Sequence, residues 1–134
     1  STFCIKEIDL AIVADIGTIQ RLPTIIGEGM ARELAFTARP FSGIEAKEMN
    51  LVNRSYSSKE EMMTDVTKIA HCIAKKSPLS VRNTKKTFVF GRDHSVQEGL
   101  EQVAQLNAGI LFSEDSIEAM TSMIQKKEPS FADS

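Results

Sequence analysis

The sequence predicts a mainly helical protein in which a mixed segment, residues 1–57, precedes a helical segment, residues 58–134. Short apolar runs alternate with Gly and Pro in the first segment, whereas the second carries apolar residues at helical spacing behind recognisable helix starts. The 134 residues, of which 42% are apolar and 25% charged, have the composition of one globular domain. We therefore expect a folded chain with its own hydrophobic core.

Charge and hydropathy exclude several classes of partner. Sixteen Lys and Arg against eighteen Asp and Glu leave a net charge of −2, which gives no general reason to bind nucleic acid. The longest apolar run, residues 10–14, is far too short for insertion across a membrane. Cys4 and Cys72 lack the spacing of a metal or redox site, so we expect two buried free thiols and no metal centre.

Four helices are predicted in the second segment, because each has its own start signal. Ser58 and Ser95 each stand three residues before a Glu, which is the pattern of a capping box. Ser77 precedes a Pro, and Ser113 precedes two acidic residues, both of which suit a helix N-terminus; the helix after Ser77 should stop at Gly91. Broad apolar faces on four consecutive helices favour packing against another chain, so we expect oligomerisation. A self-contained small helical bundle is the alternative.

The first segment predicts one helix and two strand-like runs. Apolar residues recur at helical spacing from Met30 to Ala38, and Pro40 ends the pattern. Residues 3–5 and 51–54 are short, apolar-rich and bounded by turn or polar residues, as strands are. Two isolated short strands cannot form an independent sheet, so they either pair with residues outside this chain or are not strands.

Two carboxylates in the first segment are candidates for acid/base chemistry. Glu7 follows a short apolar run, and Asp15 lies inside another, residues 10–17. Apolar surroundings desolvate a carboxylate and favour its protonated form, so such a pair could take up and return protons near neutral pH. Two other interpretations stay open: Asp15 could cap a helix that begins after Gly17, and Glu7 could lie in a solvated turn with Asp9.

Both histidines have structural explanations. His71 lies on the first predicted helix of the second segment, and we expect it to be structural. His94 stands just before a helix start, so we expect a turn residue, with a contribution to a site as the alternative. Arg92 and Asp93 are placed for an ion pair at the entry to that helix.

Several short motifs lie along the chain in a distinctive order. They are residues 6–8 (KEI), 17–23 (GTIQRLP), 26–27 (IG), 33–39 (ELAFTAR), 45–46 (EA) and 51–54 (LVNR). In this order and spacing they resemble the C-terminal half of the crotonase (enoyl-CoA hydratase/isomerase) superfamily, over essentially the whole chain. Within that superfamily, the most similar branch is the Δ3,5-Δ2,4-dienoyl-CoA isomerases, through residues 6–9 (KEID), 14–17 (ADIG) and 91–96 (GRDHSV).

The resemblance implies an α/β fold built on a spiral core of repeated ββα units. Residues 1–57 would be its last turns, and residues 58–134 a helical trimerisation region that gives a homotrimer or a dimer of trimers. In the family, the oxyanion-hole donors and most coenzyme A contacts lie in the N-terminal half. The resemblance therefore implies that this chain needs the N-terminal half of the same protein as a partner and is an incomplete, inactive fragment alone.

The resemblance also implies an enzyme of fatty-acid β-oxidation that converts 3,5-dienoyl-CoA thioesters to 2,4-dienoyl-CoA. The counterpart of Asp15 removes a proton from one end of the conjugated system, and the counterpart of Glu7 returns one at the other end. Hydratases typically have Gly at the position of Asp15, so an enoyl-CoA hydratase or another crotonase enzyme is the nearest alternative. A helical assembly module is the non-enzymatic alternative.

The family often carries an aromatic and basic cluster near the C-terminus, which reaches the coenzyme A of a neighbouring subunit. Phe131 with Lys126 and Lys127 matches this cluster loosely, and a frayed tail is the alternative. The acyl-CoA is the substrate, and no cofactor is expected. Residues 132–134 (ADS) are not a peroxisomal SKL-type signal, so the mitochondrial matrix is favoured slightly over the peroxisomal matrix.

Overall fold

The computed structural model describes residues 1–132, which fall into two compact units. The first unit is Ser1–Met62, and the second begins at Met63. The predicted boundary after residue 57 lies close to this division, while the roles assigned to the two segments stay predictions. Asp133 and Ser134, which end the C-terminal tripeptide considered above, lie outside the described residues.

Helices dominate both units, although the sequence predicts this only for the second segment and gives the first a mixed character with one helix. A short 3-10 helix spans Glu7–Leu10. The α-helices are α1 (Thr18–Ile26), α2 (Glu28–Thr37), α3 (Gly43–Glu48), α4 (Lys59–Ala74), α5 (Pro78–Phe90), α6 (Val96–Ile110) and α7 (Glu114–Gln125). Two short strands, β1 (Thr2–Phe3) and β2 (Phe41–Ser42), pair antiparallel, and the rings of Phe3 and Phe41 stack with 5.4 Å between centroids. No described helix is long and apolar enough to cross a membrane.

The strand predicted over residues 3–5 is met only at Phe3 in β1, which pairs with β2 inside this chain rather than with residues outside it, and the strand predicted for residues 51–54 is wrong. Leu51 and Val52 instead follow α3, and their N–H groups donate to the Ala46 carbonyl at 2.8 and 3.2 Å. Both side chains pack against the core, which is why the run has the apolar composition of a strand. A short apolar run that closes a helix C-terminus therefore has the same composition as a short buried strand.

The core of the first unit gathers around α2. Leu34 on α2 and Ala46 on α3 are fully buried, and they touch three further buried residues from other parts of the unit. These three are Ile5, Ala14 and Phe41. The core therefore joins the start of the chain, the loop before α1 and the strand pair.

Helices α1 and α2 pack against each other, although the sequence predicts only α2. The helix expected over residues 30–38 is confirmed, and it ends at Ala38, whose φ of 47° is left-handed. The start of α1 matches only the open alternative of a helix after Gly17; the helix is not predicted outright, because Pro23 lies inside it and Gly17 and Gly27 flank it like turn residues. Local signals that usually end a helix therefore concealed this one.

The helices of the second unit begin where the sequence predicts. Ser77 and Ser113 cap α5 and α7 by accepting backbone N–H groups three residues later, at 3.1 and 3.3 Å. Ser95 forms a full capping box, because its Oγ accepts the Glu98 N–H at 3.3 Å and the Glu98 carboxylate accepts the Ser95 N–H at 2.8 Å. Helix α5 stops at Phe90, also as predicted.

Helix α4 begins with a variant of the expected capping box. The Ser58 Oγ accepts the Glu61 N–H at 3.1 Å, as predicted. The Glu61 carboxylate accepts the N–H of Ser57 at 3.2 Å and its hydroxyl at 2.6 Å, one residue earlier than the pattern indicates. The helix start is confirmed, and two serines share the capping interactions.

The cysteines depart from the prediction of buried thiols. Cys4 and Cys72 are free but both are exposed, so that prediction is wrong. The Cys4 thiol lies after β1 and donates to the Ala38 carbonyl at 3.0 Å. Cys72 lies on α4, whose described residues include none that is buried.

The described structure leaves a large apolar surface uncovered. Exposed apolar side chains follow one another along α4 and α7. They are Met62, Val66, Ile69 and Ile73 on α4, and Ile117, Met120, Met123 and Ile124 on α7. This surface is consistent with the apolar helix faces recognised in the sequence.

Candidate active site

The two candidate carboxylates lie on segments that the same core holds in place. Ile5 lies two residues before Glu7, and Ala14 lies directly before Asp15. Both of these apolar residues are buried in the cluster around Leu34. The core therefore fixes the backbone on the N-terminal side of each carboxylate.

Glu7 is the first residue of the 3-10 helix and is half-buried. Its carbonyl accepts the Ile12 N–H at 3.2 Å, which closes the loop behind it. On the exposed side, Lys6 donates to the Asp9 carboxylate, and this hydrogen bond, together with the charge of Asp9, raises the pKa of Lys6. The solvated-turn interpretation fits Asp9, whereas Glu7 is partly shielded.

Asp15 is exposed, in the loop that joins the 3-10 helix to α1. The interpretation of Asp15 as a helix cap is wrong, because α1 follows Gly17 and no side chain caps it. The described residues also do not supply the expected desolvation. The apolar neighbours are themselves on the surface, with Val13 79% and Ile16 81% exposed. An apolar run shields a carboxylate only where the run itself is covered.

A groove of about 590 Å³ lies beside the N-terminus of α5. Half-buried Phe131 lines this groove together with Lys75 and Lys76. Lys75 pairs with Glu128 across 3.4 Å. The groove therefore brings one aromatic residue and two lysines together on one concave surface.

Lys126 and Lys127 instead lie at the end of α7, where Lys126 adopts a left-handed φ of 54°. Neither is among the described residues that line the groove of Phe131. The structure thus brings Phe131 together with Lys75 and Lys76, which follow the last residue of α4. The pairing joins residues more than fifty positions apart, so no local signal in the sequence could have revealed it.

The histidines add no metal centre. His94 lies in the turn between α5 and α6, as predicted, and His71 is exposed on α4. The predicted ion pair of Arg92 with Asp93 is wrong, because the Asp93 carboxylate lies 2.8 Å from Nδ1 of His94 instead. Within residues 1–132, no three His, Cys, Asp or Glu side chains form a group that could hold a metal ion.

Curated relatives share this sequence over most of its length. Delta(3,5)-Delta(2,4)-dienoyl-CoA isomerase, peroxisomal, of Arabidopsis thaliana is 51% identical over 130 residues, which are 97% of this chain and 47% of that protein. The mitochondrial enzyme of the same name from Homo sapiens is 40% identical, over 94% of this chain and 39% of that protein. Crotonyl-CoA hydratase of Syntrophomonas wolfei is 32% identical, over 93% and 48%. The chain therefore spans about half, or less, of the length of these relatives.

Solved structures share the fold. Enoyl-CoA hydratase from Bacillus anthracis superposes with a TM-score of 0.92 at 31% identity, covering 98% of this chain and 50% of that one. The prediction of a crotonase-type fold is therefore confirmed for this mostly helical chain. The sequence profile described as Enoyl-CoA hydratase/isomerase matches residues 1–134. From this match over its whole length, together with the curated relatives, the chain belongs to the enoyl-CoA hydratase/isomerase family.

Proposed function

We propose that this chain carries the catalytic carboxylates of a dienoyl-CoA isomerase, which converts 3,5-dienoyl-CoA thioesters to 2,4-dienoyl-CoA in fatty-acid β-oxidation. The observation that carries the proposal is the higher identity to relatives named as dienoyl-CoA isomerases than to those named as hydratases. Asp15 adds support, because the resemblance expects Gly at this position in hydratases. The hydratase remains the weaker alternative.

In the proposed reaction, Asp15 is the base and Glu7 the acid. The Asp15 carboxylate takes a proton from C2, and the electrons of that C–H bond form the C2–C3 double bond. Each existing double bond moves one carbon towards the thioester, and C6 takes the proton of Glu7. In the intermediate trienolate the electrons of the broken C–H bond lie between C1 and C2 and the thioester oxygen carries the negative charge, which two N–H donors would stabilise until C6 is protonated. The two carboxyl groups then exchange their protons with solvent before the next turnover.

The positions of the two backbone segments support this pair, whereas the exposure of Asp15 means that other residues would have to cover the site. One core holds the backbone beside both carboxylates. Asp15 and the apolar residues around it are exposed, whereas proton abstraction from carbon needs a site that excludes water. The missing cover and the oxyanion donors would both come from the N-terminal half of the same protein, which is the partner that the resemblance implies.

Residues 58–134 would serve assembly into a homotrimer or a dimer of trimers. The apolar faces of α4 and α7 are exposed in the single chain. Contacts with the N-terminal half and with neighbouring subunits would cover these faces.

Phe131 would contact the coenzyme A bound by a neighbouring subunit, with a lysine beside it to pair with a phosphate. The sequence assigns that lysine to Lys126 or Lys127, and the groove favours Lys75 or Lys76. The acyl-CoA is the substrate, and the proposed chemistry needs no cofactor. Two of the relatives are named as peroxisomal and mitochondrial enzymes, which supports the matrix of either organelle as the location.

The test is to incubate the complete enzyme with a 3,5-dienoyl-CoA and with a 2-enoyl-CoA. A 2,4-dienoyl product is conjugated with the thioester, so its formation is followed by ultraviolet absorbance, with no change in mass. We expect this product from the dienoyl substrate. Addition of the mass of one water to the 2-enoyl-CoA, without isomerisation of the dienoyl-CoA, would establish the hydratase instead. No turnover of either substrate would favour an assembly module.

A further inference from the structure

The turn that carries Asp15 into α1 depends on a glycine. Gly17 lies two residues after Asp15 and has a φ of 91°, in the left-handed region that favours glycine. It is the N-cap of α1, and no side chain caps the helix there. Ala14 holds the other side of Asp15 in the core. Residues 15–17 therefore run between one buried anchor and one constrained turn.

Arg21 folds back from α1 onto this turn. Its Cζ, Nη1 and Nε atoms lie 3.1, 3.3 and 3.4 Å from the point where a Cβ on residue 17 would stand. A point directly above Cζ at that height would lie about 3.4 Å from each bonded nitrogen of a planar guanidinium. The measured distances therefore place the flat face of the guanidinium over Gly17. A Cβ at residue 17 would be tighter than ordinary van der Waals contact with this group, so the guanidinium would have to move by a few tenths of an ångström.

Charge pairing does not explain the position of Arg21. Within the described residues its guanidinium makes no ion pair and no side-chain hydrogen bond, and Arg21 is exposed. The N-terminus of a helix carries the positive end of the helix dipole, which disfavours a cation. The packing of a planar group on bare backbone is the interaction that the structure shows.

We propose that Arg21 is a positioning residue for Asp15, because its guanidinium plane packs on Gly17 and fixes the turn that aims the Asp15 carboxylate. The inference rests on the proposed function, which makes Asp15 the base. Misplacement of a reacting group by about 1 Å can cost on the order of 10²-fold in rate. Arg21 then acts through geometry, so its removal lowers kcat and leaves KM unchanged.

The first experiment replaces Arg21 in the complete enzyme by Ala and by Lys. Ala removes the guanidinium, and Lys keeps the positive charge but lacks the planar group that packs on Gly17. We therefore expect kcat to fall about tenfold or more in both variants, with KM unchanged. Exchange of the substrate α-proton with solvent deuterium should slow in parallel, since it reports the base itself. Arg32→Ala is the matched control, because Arg32 is exposed on α2 and pairs with Glu28. Wild-type kcat in Arg21→Lys, or a change in KM alone, would overturn the inference.

The second experiment tests the contact itself with a double-mutant cycle. Gly17→Ala adds backbone strain and displaces the Arg21 guanidinium from its tight contact, whereas in the Arg21→Ala background only the strain remains. We expect a smaller loss of kcat from Gly17→Ala in that background, and equal losses in both backgrounds would contradict the contact. Asp15→Asn separates the two proposals. Full activity of Asp15→Asn would overturn the proposed function, whereas loss of activity there with normal Arg21 variants would overturn only this inference.

Discussion

The imidazole of His94 lies against the ring of Phe90, with 3.6 Å between the two centroids. Its Nδ1 is 2.8 Å from the Phe90 carbonyl oxygen, which is at the end of α5, and 2.8 Å from the Asp93 carboxylate. The hydrogen bond to the Phe90 carbonyl raises the pKa of His94 most, and Asp93 and the charge of Glu98 raise it further, against partial desolvation. The ring thus ties the turn after α5 to the last residue of that helix.

Protonation of His94 should stabilise this corner. The pKa of His94 is higher in the folded protein than in the unfolded chain. Protonated His94 therefore contributes fully to the free energy of unfolding at pH below the unfolded pKa, and this contribution disappears as pH rises through the folded pKa. We expect His94→Gln to lower the free energy of unfolding more at about pH 5.5 than at about pH 8.5. Urea unfolding at both pH values measures this difference. His71→Gln is the control, since His71 is exposed on α4.

The capping box of α6 gives a second stability prediction. Ser95→Ala removes the acceptor for the Glu98 N–H, and we expect a loss of about 1 kcal/mol in the free energy of unfolding. The hydrogen bonds from Ser95 lower the pKa of Glu98. The contribution of the ionised Glu98 carboxylate to the free energy of unfolding is therefore lost only as pH falls through that lowered pKa. Urea midpoints at neutral pH measure the effect. Ser95→Asp, which keeps a capping oxygen, should recover most of the loss, and an equal loss would contradict the capping role.

The acid/base pair gives the prediction for chemistry. In the complete enzyme, Asp15→Asn keeps the shape of the side chain but removes the base, so kcat should fall by on the order of 10²–10⁴ with little change in KM. Glu7→Gln should also lower kcat while leaving slow exchange of the substrate α-proton with deuterium. Asp9→Asn is the control, because Asp9 lies on the same 3-10 helix and pairs with Lys6. Exchange that is lost in Glu7→Gln but kept in Asp15→Asn would reverse the two roles.

The apolar face of α4 gives the prediction for assembly. We expect the complete protein to sediment as a trimer or a dimer of trimers at micromolar concentration. Ile69→Glu places a charge on the exposed apolar face and should shift the protein towards smaller species. Lys68→Glu changes a neighbouring residue outside that apolar series and should leave the assembly intact. Wild-type protein that sediments only as a monomer would contradict the proposal.

The groove of Phe131 gives the prediction for substrate binding. Phe131→Ala and Lys76→Ala should raise KM for the acyl-CoA in the complete enzyme without lowering kcat, because both lie away from the proposed acid/base pair in sequence and line one groove. Lys127→Ala is the comparison. A rise in KM in Lys127→Ala alone would restore the assignment made from the sequence and exclude the groove.

Local signals explain which elements could be predicted. Ser77 and Ser95 form their caps with residues three positions away, so a short window of sequence contains the whole interaction. Leu51 and Val52 were indistinguishable from a strand because their composition reflects burial, which a strand and a helix-ending turn share. Pro23 concealed α1, although the packing of α1 on α2 supports the helix around it.

The candidate site also has features that the sequence identifies and features that only the fold reveals. Glu7 and Asp15 were identified first by the apolar runs beside them and then by the motifs around them, which carry the family resemblance in consecutive residues. The exposure of Asp15 could not be foreseen, because the same apolar neighbours would bury it in one fold and surround it at a surface in another. The contact of Arg21 with Gly17 needed the left-handed turn, which no residue other than the glycine indicates.

The uncovered apolar faces of α4 and α7 also bear on how long the polypeptide survives in a cell. Chaperones and proteases act on chains whose apolar surface is open, and binding of a partner adds stability by mass action. A substitution such as Ile69→Glu would therefore reduce the abundance of the protein before it alters turnover per molecule. A growth-based genetic screen would score that loss as a defect in chemistry unless abundance were measured beside activity.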